Sequence, residues 1–124
     1  MPDFTPPFKP GHAVTFTASA AVTGGQLVEV TGPMQVGPAA AGSAKVIGQP
    51  GHDATAGTPV TVHLPGKTVT AATASGAVTA GDHVKAAAGG RVAKFTPGTD
   101  AETTRVGLAI TTAADGATVR LIPA

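Results

Sequence analysis

AAVTGGQLVEV, Ala20 to Val30, returns as GAVTAGDHVKA, Gly76 to Ala86, at an offset of 56 residues. A second pair behaves the same way: IGQPGHDATAGTPVTVHL, Ile47 to Leu64, and VGLAITTAADGATVRLIP, Val106 to Pro123. In that pair Gly48 and Gly57 fall on Gly107 and Gly116, an offset of 59, so three residues of loop separate the two registers. In each copy of the first phrase an Ala-Val-Thr step runs into Gly-Gly or Ala-Gly, then a polar residue, then an alternating apolar run. Gly25 and Gly81 supply the backbone freedom of a tight turn, and the Val that follows re-enters a core. Each half reads as one β supersecondary unit, with repeats at about 12–66 and 67–124. Neither half has enough large apolar residues to close a core alone, so the expectation is one core shared through a pseudo-twofold.

The runs between these turns have the period of strands. Val14 and Phe16 alternate with threonines; so do Val28 and Val30 with their neighbours, Val60, Val62 and Leu64, Val106, Leu108 and Ile110, and Val119 and Leu121. A period of two places one side chain in the core and the next in water. Weaker strands fit Ala44–Ile47, Lys67–Ala71, Val84–Ala87 and Arg91–Phe95. No stretch of ten or more residues has helical spacing free of Gly, Pro or β-branched runs. The fold expected is all-β, a small barrel or sandwich built from duplicated halves, forming a single β domain over residues 12–124. Gly32 to Ala44 and Thr96 to Thr104 read as loops in matching places, both candidates for external contact.

Composition narrows the function. The 124 residues include 17 Gly and 11 Pro but only four Phe, with no Tyr, Trp or Cys, so the core must be thin and disulfides and thiolate metal sites are excluded. A net charge of +1 without clustering, and so little aromatic surface for stacking, argue against nucleic acid as a partner. No apolar stretch approaches the roughly 20 residues of a membrane span, and the opening residues do not read as a signal peptide, so a soluble protein is expected.

Site motifs are scarce. PGKT, Pro65 to Thr68, lacks the upstream glycine and following helix of a phosphate loop and reads as a turn. His12, His52, His63 and His83 show no close ligand spacing, and Ser19, Ser43 and Ser75 lie in no nucleophile context, so neither a metal site nor an enzyme is expected. A lipoyl- or biotinyl-type carrier domain is disfavoured because Lys67, the hairpin lysine, lacks the acidic or Met neighbours such a lysine needs. Residues 1–11 differ from everything after them: Pro2, Asp3, Phe4, Thr5, Pro6, Pro7, Phe8, Lys9 and Pro10 carry four prolines and half of the aromatic residues. Proline fixes φ and donates no hydrogen bond, so this piece reads as an extended arm. Two roles suit its phenylalanines: capping the chain's own barrel, or docking on another chain.

Four segments in order, FKPGHAVTFTASAAVTGGQLVEVTG (8–32), VIGQPGHDATAGTPVTVHLPG (46–66), TASGAVTAGDHVKAAAGGRVA (73–93) and RVGLAITTAADGATVRLIP (105–123), resemble the capsid cement or head decoration proteins of tailed phages. The resemblance implies a structural virion protein without cofactors, made in the host cytoplasm. It would bind the outer surface of the head, contact the major capsid protein and form a homotrimer. Pro2 to Pro10 are then the candidate capsid-contact residues. The competing reading is a host-surface or glycan-binding β module on the virion, which the lack of Trp and Tyr disfavours.

Overall fold

The computed structural model describes residues 13–64 and 69–123. The fold is all-β, ten strands in two five-stranded sheets. The first half contains β1 (Ala13–Ala18), β2 (Val28–Gly32), β3 (Gln35–Pro38), β4 (Val46–Pro50) and β5 (Pro59–His63). The second contains β6 (Thr70–Thr73), β7 (His83–Ala87), β8 (Arg91–Lys94), β9 (Arg105–Ala109) and β10 (Thr118–Pro123). Single 3-10 turns at Ala88–Gly90 and Glu102–Thr104 are the remaining regular elements.

The first half is a closed barrel in the order β1-β3-β2-β4-β5, sealed by a parallel β1–β3 pairing, Ala18 opposite Val36, and an antiparallel β1–β5 ladder. The second half repeats this order, β6-β8 being joined only by an isolated parallel bridge between Ala74 and Val92. The registers coincide pair by pair. Val28 faces Gly48 as Val84 faces Gly107, and Glu29 faces Val46 as Lys85 faces Arg105, with the same bulge between the two pairs. The offset changes from 56 to 59 between β3–β4 and β8–β9, so the three additional residues lie in the loop after β8. The duplication legible in the sequence is thus a duplication of strand order, register and bulge.

Three details depart from expectation. β3 lies inside the stretch read as a loop, because Gly32, Pro33, Gly37 and Pro38 hide a four-residue strand; Pro38 stands at its end, where a missing N–H matters least. The interior is not one shared core. Ala18, Val22, Val28, Val36, Val60 and Val62 fill the first barrel, with Phe16, Ile47 and Ala54 beside them. The second has its own cluster on the equivalent positions, Ala74, Val78, Val84, Val92, Val119 and Leu121, supplemented by Leu27, Ala39 and Val46 from the first half. Where the first core has Phe16 the second has Ala72, so the borrowed side chains supply bulk that the second half lacks.

The third departure concerns symmetry. The halves meet head to tail. Leu27 N–H donates to the Gly90 carbonyl (2.9 Å), Gly90 N–H to Ala39 (3.2 Å) and Gly42 N–H to Ala86 (2.9 Å). The Gln26 amide donates to Gly89 (2.7 Å) and the Gln49 amide to Ala71 (2.7 Å). A twofold would add the reciprocal set, placing Met34, the counterpart of Gly90, against His83, the counterpart of Leu27. Instead the Met34 carbonyl accepts from Thr17 of its own barrel, and its side chain is 55% exposed at a φ of 54°. One face of the first barrel therefore meets a different face of the second.

Gly90 is the keystone of this junction. Its φ is 74°, and a Cβ there would strike the Gln26 side chain and lie 2.7 Å from the Leu27 carbonyl oxygen. Gly90→Ala combines left-handed strain with a backbone clash and is expected to cost roughly 2–5 kcal/mol. Gly89→Ala, at a φ of 75° with open space around it, should cost only about 1–2 kcal/mol. Urea titration of the two variants checks the ranking, and equal losses would mean that the halves do not depend on this close approach.

Candidate functional site

Pro2 to Pro10, the residues singled out for partner contact, lie outside the described residues, as do His12 and the PGKT turn. What the structure supplies is the point at which the described chain begins. Ala13 opens β1 with His63 of β5 as its partner across the ladder. His63 and Leu64 help line an apolar groove at the seam of the halves, together with Leu27, Val46, Gly48, Val106 and Leu121. The groove holds about 70 Å³ of open space, well short of the roughly 300–1,000 Å³ of a small-molecule site. Gly48 is needed beside it for a close strand approach: a Cβ there would collide with the His63 carbonyl oxygen. Reading by strand period alone missed this groove, since its walls come from both halves.

A wider cleft lies across the seam, lined by Thr23–Gln26, Ala71–Thr73, Gly89–Arg91 and Thr118. Arg91 is the one ionisable side chain lining it, so the cleft offers no acid–base pair. His52 is committed to its own turn, with Nδ1 2.9 Å from the Asp53 carbonyl oxygen and Nε2 accepting from Thr61 N–H at 3.4 Å. Among the described residues no three His, Asp or Glu side chains converge as metal ligands.

The two candidate contact loops are fastened from equivalent positions by opposite charges. Glu29 on β2 accepts a short hydrogen bond from Ser43, whose hydroxyl also accepts from Lys45 N–H at 3.1 Å. Lys85, its counterpart on β7, holds Asp100 at 2.7 Å, and the other carboxylate oxygen accepts from Thr96 N–H at 2.7 Å. Both devices pin the loop that leads to the next strand. The hydrogen bond from Lys85, then that from Thr96, holds the Asp100 carboxyl below its usual range. A depressed acid stabilises the fold above its unfolded-state pKa, near 3.9, and that contribution fades as pH falls through the lowered folded value. Asp100→Asn should therefore be less stable than the parent at pH 7, with the gap closing as pH falls below about 4. Chemical denaturation at pH 7 and at successive acid pH values reads both limbs.

Exposed apolar side chains mark the remaining surface. Val30 and Met34 flank the β2–β3 hairpin, Leu64 and Val69 stand at the described ends on either side of residues 65–68, Ile110 follows β9 and Ile122 stands on β10. The sequence placed Val30, Leu64 and the Val106–Leu108–Ile110 set on buried faces, whereas β9 buries Gly107 and Ala109 instead; alternation does not say which of two faces turns to the core.

Comparison with known proteins bears on this architecture. The chain resembles the N-terminal base of the head fiber protein gp8.5 of bacteriophage phi29 with a TM-score of 0.71 at 19% identity, over 91% of this chain and 93% of that one. At that identity the likeness is one of fold. No curated protein matches the chain in sequence. The family model described as phage cement protein matches residues 8–123. That span takes in both halves and the seam between them, and the chain belongs to the phage cement protein family.

Proposed function

We propose that the protein binds the outer surface of the phage head and holds neighbouring major capsid protein subunits together. It does so as a homotrimer and without catalysing a reaction. The observation that carries this reading is the family match across residues 8–123, which covers the whole architecture rather than one motif. The physics supports it. The first half is a barrel closed on its own ladders, the second is drawn together by the Ala74–Val92 bridge, and among the described residues five hydrogen bonds between the halves brace them. A braced body transmits load between attachment points instead of bending between them.

Attachment falls to the arm, Pro2 to Pro10. An extended segment can add backbone hydrogen bonds to an exposed sheet edge and insert an aromatic anchor, and proline lowers the entropy lost on docking. A contact of standard size buries about 800 Å² per partner. Three such arms on one trimer would bind with an avidity no single arm has. The fastened loops 39–45 and 95–104 are the secondary contacts.

Removal of residues 2–10 should leave a folded protein that fails to decorate purified heads, as counted by cryo-electron microscopy or gel densitometry of sedimented particles. Full occupancy by the truncated protein would move the contact to the loops. Mass measurement of the purified protein in solution checks the trimer directly, and a monomeric mass would remove avidity from the account.

A further inference from the structure

The groove beside Ala13 has walls but nothing described within it, and the chain itself carries a fitting occupant nearby. Antiparallel pairing runs to the last described step of β1, Ala13 opposite His63, and His63 and Leu64 are groove residues. Whatever precedes Ala13 therefore starts within one ladder step of an apolar slot sized for a single side chain. Phe8 lies five residues before Ala13, a reach of up to about 17 Å. Phe4 lies nine residues before it, a reach of up to about 30 Å, enough to pass beyond the groove. Tethering by so short a segment gives Phe8 an effective concentration that no separate partner matches.

We propose that Phe8 seats in this groove of its own chain, against Val46, Val106 and Leu121. The seated ring pins the arm to the seam of the two halves, so that only the residues before it project and Phe4 is the aromatic presented to a partner. This deepens the reading of the arm as the attachment element and divides its two phenylalanines between two tasks. The arrangement also closes the second core, whose borrowed Val46 is a wall of the groove.

The sparse aromatic content makes the test clean. The chain has four phenylalanines and no Tyr or Trp; Phe16 packs with the first barrel's core and Phe95 is buried on its own loop. Methyl NMR of the free full-length protein should show the Val46, Val106 and Leu121 resonances displaced upfield by a ring current. Phe8→Leu should abolish the displacement, and Phe4→Leu should leave it intact. Methyls unmoved by Phe8→Leu, or moved equally by Phe4→Leu, would overturn the proposal. So would a mixture of methyl-labelled Phe8→Leu chains with unlabelled parent in which the displacement returns, because the ring would then come from a neighbour. These measurements use no heads, so failure of groove seating is read separately from failure of head binding by the arm deletion.

Discussion

Two backbone approaches set the terms for the rest of the molecule. At Gly48 a Cβ would strike the carbonyl of His63, and at Gly107 one would lie 2.7 Å from the carbonyl of Ile122. The two sites are the same position in the two halves, each facing a bulge, between Val28 and Glu29 in one and between Val84 and Lys85 in the other. A bulge increases local twist and bends the strand that carries it. Five short strands close or nearly close only with such bending, and the missing side chain lets the fourth strand of each half lie against the fifth. Cores built mainly from Val and Ala follow, with few larger side chains in each, since interiors this narrow leave little space for them.

Duplication need not give symmetry, and here it does not. Gln26 and Asp82 occupy equivalent turns and each caps one, Gln26 accepting from Thr23 N–H and Asp82 from Thr79 N–H. Gln26 retains an amide that also donates across the seam to Gly89, whereas a carboxylate has no donor to offer. Leu27 and His83 differ in the same sense, the first buried in the neighbour's core and the second half exposed. A few such substitutions convert two copies of one unit into a pair that meets by unlike faces, with Gly90 on one side and the free Met34 hairpin on the other.

That asymmetry gives the two halves a firm junction. A seam crossed by backbone hydrogen bonds and shared apolar side chains resists sliding. The loops after the third strand of each half are fastened by Glu29–Ser43 and Lys85–Asp100, one anchored by an acid and the other by a base, and the first of them also reaches the seam through Gly42 N–H on the Ala86 carbonyl.

The sequence by itself determined the strand period, the turn glycines and the duplication with its three-residue difference, because each depends on local geometry that repeats with the residues. Val22 and Val78, Gly57 and Gly116, Val60 and Val119 could be matched by eye, and the structure places each pair in the same role. β3 escaped because Gly and Pro are read as turn formers even where four residues between them find two partner strands. Only the tertiary structure decided that there are two cores rather than one, that Leu27, Ala39 and Val46 serve the other half, and that a groove opens at the seam. Those outcomes depend on which faces of two finished barrels meet, and neither periodicity nor composition encodes a contact between residues such as Leu27 and Gly90, 63 positions apart in the chain.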